Sequence, residues 1–119
     1  MELLIYIDAQ DRAPFTQWLD GLKDVRARAQ IRARLARVGA GKFGDCKPLR
    51  EGVQEFKIDY GPGYRVYLSR QGPVLVLLLC GSDKGDQDRA IKQAIIYLNY
   101  WKQRGKACMH RVTQVLTTT

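Results

Sequence analysis

A chain of 119 residues, 45% hydrophobic and 27% charged, has the length and composition of one folded domain with its own hydrophobic core. Its 20 Lys and Arg residues outnumber its 12 Asp and Glu residues, and the net charge of +8 favours an anionic partner. The longest apolar run, PVLVLLLC at 73–80, is too short to cross a bilayer, and the acidic N-terminal segment is unlike a signal peptide, so we expect a cytoplasmic protein.

The first half of the chain predicts one strand and two helices. LLIYI at 3–7 indicates the strand, and Asp11 is the predicted N-terminal cap of a helix that has Pro14 in its first turn and ends near Gly21. A second helix is predicted over 24–38, ended by GAG at 39–41. Apolar residues at helical spacing predict the buried sides, with Phe15, Trp18, Leu19 and Leu22 on the first helix and Ala27, Ile31, Leu35 and Val38 on the second.

The second half predicts a sheet followed by one helix. Residues 47–50 are a candidate first strand, and two longer strands, 53–60 and 64–70, flank the turn GPG at 61–63. The next strand, 74–80, is apolar on both faces, as expected in the middle of a covered sheet. The final helix, 87–104, has its buried stripe at Ile91, Ala94, Ile95, Leu98 and Trp101.

This order, β-α-α-β-β-β-α, predicts an α+β domain over residues 1–105. The tail at 106–119 lacks an amphipathic pattern, so we expect it to be mostly mobile, with VTQVL at 112–116 as a candidate edge strand. Three widely spaced cysteines fit neither a disulfide framework nor a metal or redox motif.

The hairpin at 53–70 separates apolar from polar residues by strand alternation. A three-residue turn predicts a core face with the cross-strand pairs Tyr60–Tyr64, Ile58–Val66 and Phe56–Leu68. The opposite face then holds the pairs Asp59–Arg65, Lys57–Tyr67 and Glu55–Ser69. This polar face is either a solvated surface with charge pairs or, since the adjoining strand is apolar on both faces, a recessed groove for a polyanion.

Four segments carry a resemblance to a known family: FTQWLDGL, KPLREGVQEFKIDYGPGYRVYL, VLLLCGSDKGDQDRAI and the two-helix insert between the first two strands. Over roughly residues 3–104, the chain resembles the RelE/ParE superfamily of type II toxin–antitoxin systems, most closely the HigB-like "addiction module killer" branch. The resemblance implies a RelE-like fold, a twisted and mainly antiparallel sheet with two N-terminal helices and a C-terminal helix. It also implies a toxin that cuts mRNA on the ribosome and that binds a cognate antitoxin.

The resemblance also implies a catalytic set. Arg65 matches the arginine of the YR motif, Lys84 the lysine after the last strand, and Lys57 the basic position of the preceding strand. Some relatives add a C-terminal catalytic tyrosine or histidine. The chain departs from them here, because its candidates Tyr97, Tyr100 and His110 do not lie at that place.

These residue types suit cleavage by the RNA's own 2′-hydroxyl. Arg65 can clamp a phosphate with its planar fork, and Lys57 and Lys84 can stabilise charge, with one of the two lysines also able to act as base or acid. Tyr67 can stack on a base or orient a phosphate through its hydroxyl. Further RNA-binding candidates are Arg50 and the helix residues Arg26, Arg34 and Arg37. The helix arginines could equally face an acidic antitoxin or simply be solvated.

Other chemistries fit the sequence less well. A single histidine excludes a two-histidine ribonuclease, and Asp83, Asp86 and Asp88 are explained more simply as helix-capping acids than as metal ligands. We therefore expect neither a metal nor a cofactor. Two alternatives stay open: a ParE-like inhibitor of DNA gyrase without nuclease activity, and an inactive remnant that only binds its antitoxin.

Overall fold

The computed structural model describes residues 1–104 and 109–111. In chain order these form β1 (Glu2–Tyr6), α1 (Pro14–Gly21), α2 (Val25–Gly39), β2 (Cys46–Pro48), β3 (Gln54–Ile58), β4 (Tyr64–Gln71), β5 (Leu75–Asp83), a 3₁₀ turn (Lys84–Asp86), α3 (Gln87–Arg104) and β6 (Met109–Arg111). The strands form one mixed sheet in the order β2-β3-β4-β5-β1-β6, in which β1 and β5 are parallel. The predicted α+β class is confirmed.

The sheet has a hydrophobic core on each face. One core packs β-strand residues such as Phe56 and Val66 against α1 and α2, and the other packs Tyr67 and Leu79 against α3. Strand β5 supplies side chains to both cores, as its continuous apolar run predicts. Each fully buried Leu or Phe stabilises the fold by about 1.5–3 kcal/mol relative to an exposed side chain.

Helix α2 follows its predicted pattern, whereas the predicted cap of α1 is wrong. Asp24 caps α2 by accepting hydrogen bonds from the backbone N–H groups of Arg26 and Ala27, at 2.9 and 3.3 Å. The four apolar residues predicted to face the core are all buried. Ahead of α1, Asp11 instead has a left-handed backbone with φ of +60°, and α1 begins without a side-chain cap.

The β3–β4 hairpin keeps the predicted faces but shifts the predicted pairs by two residues. Ile58 pairs with Tyr64, Lys57 with Arg65, and Glu55 with Tyr67. The loop at 59–63 is longer than the predicted three-residue turn, and positive φ angles at Gly61 and Gly63 reverse the chain. Because a shift of two residues preserves the alternation, the core face is as predicted while the cross-strand partners are not.

The tail prediction falls largely outside the described residues, including the candidate edge strand at 112–116. Within the described part, Met109–Arg111 runs antiparallel to β1 at the edge of the sheet. None of the described helices combines the length and apolar character that a membrane crossing requires.

Candidate functional site

Three strands bring the predicted catalytic cations to one end of the sheet. Lys57 near the end of β3 lies opposite Arg65 at the start of β4, which in turn lies opposite Ser82 on β5. Lys84 follows two residues later in the 3₁₀ turn. All three cations line one cavity of about 400 Å³, here called the cationic cavity, together with Asp59 and the hairpin loop. The cations therefore outnumber the carboxylates by three to one in this lining.

Arg65 is held in place by a buried carboxylate. Its side chain is 11% exposed, and its Nε lies 3.6 Å from Oε2 of Glu55, whose side chain is 3% exposed. The amide Nε2 of Gln87, at the start of α3, donates to the same carboxylate oxygen at 3.5 Å. Lys57 and Lys84, in contrast, are exposed. The cavity thus combines one positioned guanidinium with two exposed ammonium groups.

Tyr67 lines neither the cationic cavity nor any open surface, and its buried ring contradicts the predicted contact with RNA. The ring is fully buried in the core beneath α3, and its hydroxyl shares a hydrogen bond of 3.1 Å with Oγ of Ser82. Burial raises the pKa of Tyr67 to about 12. The ring is buried because α3 covers the face of the hairpin that the sequence indicated as polar.

A second cavity of about 580 Å³, here called the helix-side cavity, lies against α2, and its charged lining comprises the cations Arg34, Arg37, Lys47 and Lys57 and the carboxylates Asp45, Glu55 and Asp59. It shares Lys57, Ile58 and Asp59 with the cationic cavity, so the two cavities adjoin, and together they are here called the groove. Arg34 is also structural. Its guanidinium lies 5.0 Å from the centre of the Phe56 ring and donates to the carbonyl oxygens of Lys57 and Phe43, at 3.4 and 3.3 Å.

Two predicted RNA-binding residues lie away from this groove. Arg26 is exposed near the start of α2, eight residues and therefore about 12 Å along the helix axis from Arg34. Arg50 is exposed in the loop before β3, at the opposite end of that strand from Lys57. Neither residue lines the cationic or the helix-side cavity.

The tyrosines considered for proton transfer also lie elsewhere. Tyr97 stacks on Tyr6 with ring centroids 5.0 Å apart and lines a separate cavity beside Trp18. Tyr100 is exposed, and its ring centre lies 5.5 Å from the guanidinium of Arg104. The side chain of His110 lies outside the described part of the chain.

Asp59 also lines the cavity, although the sequence pattern predicts no chemical role for it. It directly follows β3, is exposed, and lines both cavities of the groove. A carboxylate between two cations in KIDYGPGYR was the available signal, but the predicted pairing with Arg65 explained it as a cross-strand charge pair.

The described residues hold no group of three or more His, Cys, Asp or Glu side chains arranged to bind a metal ion. Of the three clustered acids, Asp83 accepts a hydrogen bond of 3.0 Å from the backbone N–H of Gly85. Its carboxylate therefore caps the 3₁₀ turn, as a helix-capping role predicts.

Comparison with known proteins identifies a relative of this chain in Haemophilus influenzae. No protein-family model matches the chain. A protein of Haemophilus influenzae described as uncharacterized is 55% identical over 80 residues, which make up 67% of this chain and 81% of that protein. At this identity and coverage, the chain belongs to the same protein family as the Haemophilus protein.

Proposed function

We propose that this protein is the toxin of a type II toxin–antitoxin system and that it cleaves mRNA on the ribosome without a metal ion. The observation that carries the proposal is the meeting of Lys57, Arg65 and Lys84 in one cavity of about 400 Å³. These residues come from three separate segments, two strands and a 3₁₀ turn. Such convergence of cations in a concave site suits a phosphate better than it suits a solvated protein surface.

The fold supports an assignment to the RelE/ParE superfamily and its HigB-like branch. Two helices follow the first strand, three consecutive antiparallel pairs join β2 to β5, and α3 covers the opposite face of the sheet from α1 and α2. This arrangement agrees with the two N-terminal helices and the mainly antiparallel sheet of a RelE-like toxin. Fold alone does not separate a nuclease from a gyrase inhibitor, and the convergence of cations in the cationic cavity favours the nuclease.

The proposed reaction uses the nucleophile that RNA already carries. The 2′-hydroxyl attacks the adjacent phosphorus, and the product ends are a 2′,3′-cyclic phosphate and a 5′-hydroxyl. Arg65 binds the non-bridging phosphate oxygens, and its contact with Glu55 keeps the guanidinium oriented before the substrate arrives. Lys57 and Lys84 reach the same phosphate from the rim and stabilise the negative charge that develops on it.

The helix-side cavity extends this site along the RNA backbone. Arg37, Lys47 and the groove-lining part of Arg34 would contact phosphates next to the scissile one, which adds affinity without reading the base sequence. The proposed antitoxin would compete for the same surface. An acidic segment suits it, because the chain carries a net charge of +8.

The test compares Lys57→Ala and Lys84→Ala with Lys92→Ala. Lys92 is an exposed lysine of α3 that lines neither cavity, so its loss changes the net charge equally. We expect each cavity variant to relieve growth arrest on induction and to slow cleavage of ribosome-bound message about 10²–10³-fold. Lys92→Ala is expected to act as the wild type in both measurements. Primer extension on message from arrested cells locates the cuts.

Three outcomes would overturn the proposal. Full toxicity of both cavity variants would mean that the cationic cavity is not the active site. Intact message with double-strand DNA breaks would identify a gyrase inhibitor instead. An inert wild-type chain that still binds a protein encoded beside it would identify a remnant that only binds its antitoxin.

A further inference from the structure

Cleavage by a 2′-hydroxyl requires a group that accepts its proton, and the cationic cavity offers few. Its ionisable side chains are Lys57, Asp59, Tyr60, Tyr64, Arg65 and Lys84. Ammonium, guanidinium and phenol groups ordinarily hold their protons at neutral pH, whereas carboxylates are ionised. Burial further raises the pKa of Tyr64. A carboxylate is therefore the cavity group that can act as a base without a change in its usual protonation state.

We propose that Asp59 is the general base of this site, an inference that rests on the proposed nuclease function. The Asp59 carboxylate takes the proton of the 2′-hydroxyl as the O2′–P bond forms and the P–O5′ bond breaks. A lysine ammonium of the cavity gives a proton to the departing 5′-oxygen. Atoms and charges balance with no further reactant, and the products are a 2′,3′-cyclic phosphate and a 5′-hydroxyl.

The contacts of Asp59 distinguish it from the neighbouring acids. The carboxylate of Glu55 pairs with Arg65 and Gln87, and that of Asp83 caps Gly85. The Asp59 carboxylate has neither a hydrogen bond nor an ion pair with any described residue. It is exposed and lines the cavity with its lone pairs unused, which a proton acceptor requires.

The position of Asp59 is also costly for a site that only binds RNA. A carboxylate beside the phosphate backbone repels it, and a simple binding groove gains affinity by excluding such a charge. Here Asp59 lines both cavities, and Lys57, Arg65 and Lys84 line the cationic cavity with it. These three cations offset the repulsion between the carboxylate and the RNA backbone.

The experiment measures single-turnover cleavage by the full-length chain on ribosomes programmed with a defined message. Asp59→Asn is compared with Asp20→Asn, which removes the same charge from an exposed position on α1 that lines neither cavity. We expect Asp59→Asn to cleave about 10²–10⁴-fold more slowly and Asp20→Asn to cleave at the wild-type rate. Asp59→Glu is expected to restore part of the activity, because it keeps a carboxylate.

A further readout separates a base from a binding residue. Binding of a message with a 2′-O-methyl group at the cleavage site should be at least as tight for Asp59→Asn as for the wild type, because the substitution removes a negative charge. Loss of this binding would overturn the role as base.

A message with sulfur in place of the leaving 5′-oxygen tests the direction of proton transfer. A thiolate leaves without protonation, so this substrate should rescue a variant that lacks the acid but not Asp59→Asn. Rescue of Asp59→Asn would show that Asp59 acts as the acid and would overturn the proposal. Equal cleavage of the ordinary message by Asp59→Asn and wild type would overturn it while leaving the nuclease function intact. An inert wild type would overturn both.

Discussion

The Glu55 carboxylate explains why the Arg65 side chain can be nearly buried in the wall of the cationic cavity. An unpaired guanidinium at 11% exposure would be costly, and so would an unpaired carboxylate at 3% exposure. Each neutralises the other across 3.6 Å, and Gln87 donates to the same carboxylate from α3. The same ion pair therefore stabilises the fold and orients the Arg65 guanidinium, the proposed phosphate-binding group.

Removal of Arg65 alone should destabilise the fold, because it leaves the buried Glu55 carboxylate without its counter-charge. We expect Arg65→Ala to lower the free energy of unfolding by about 2–3 kcal/mol. Adding Glu55→Gln to the same chain should recover part of that loss, since a neutral amide needs no cation. Urea unfolding measures both effects. Arg26→Ala, at an exposed position, serves as the control, and equal stability of the two single arginine variants would contradict the argument.

The sequence pattern does not predict a catalytic role for Asp59, because the predicted hairpin register differs from the register in the structure. The predicted turn paired Asp59 with Arg65, which made the carboxylate one half of a neutralised pair. In the structure Arg65 pairs with Lys57 in the ladder and with Glu55 through its side chain, so Asp59 is left without a partner in the described residues. The two-residue shift in strand pairing therefore removes the predicted ion pair of Asp59 and makes its carboxylate a candidate catalytic group.

At the scale of helices and strands, α1 and β5 meet at a close contact that the sequence pattern does not predict. Gly81 of β5 lies directly under the Trp18 ring of α1, and a Cβ added at Gly81 would overlap the ring atoms. The Trp18 ring also packs against Phe15 and Tyr64, at centroid distances of 5.9 and 6.3 Å. Glycine is needed here for close approach rather than for an unusual backbone angle.

Gly81→Ala should therefore destabilise the protein by about 1–3 kcal/mol, the usual cost of overpacking. Gly21→Ala is the matched control. A Cβ at Gly21 meets no atom within 4 Å and lies in α1, so alanine there should be neutral or slightly stabilising. Thermal unfolding of both variants checks the difference. Trp18→Leu combined with Gly81→Ala should recover some stability, and a harmless Gly81→Ala would show that α1 shifts without cost.

Helices were easier to predict than strand partners for a physical reason. The apolar stripe of α2 follows from a 3.6-residue period within one segment, and its four members are all buried. Strand alternation likewise identified the core face of the hairpin. The pairs themselves depend on loop length, and the loop at 59–63 cannot be distinguished from a shorter turn by alternation, because both keep the same faces.

A buried phenol, Tyr67 on β4, and a buried thiol, Cys80 on the neighbouring strand β5, should make the stability of the whole molecule sensitive to high pH. Burial raises the pKa of Cys80 from 9.0 to about 12 and that of Tyr67 from 10.0 to about 12. Both groups are neutral in the folded state at pH values where the unfolded chain would ionise them. Their contribution to stability is therefore complete below pH 9.0 and is lost as the pH rises towards about 12.

We expect the melting temperature to fall between pH 9.0 and 12, and to fall less steeply in the double variant Cys80→Ala with Tyr67→Phe. Tyr100→Phe removes an exposed phenol and should leave the slope unchanged. Calorimetry across this pH range makes the comparison. Identical slopes in all three chains would mean that neither buried group is coupled to unfolding.

At the scale of the whole molecule, local pattern and tertiary packing determined different things. Composition, helical periodicity and strand alternation are local properties, and from them the sequence alone determined the α+β class, the helix stripes and the core face of the hairpin. The meeting of Lys57, Arg65 and Lys84 was inferred through a resemblance, and the structure brings them to one cavity. Only tertiary structure decided that α3 buries Tyr67, that Glu55 holds Arg65, and that the Asp59 carboxylate has no partner among the described residues. Each of these depends on which segments pack together across long stretches of chain, and no short-range pattern encodes that choice.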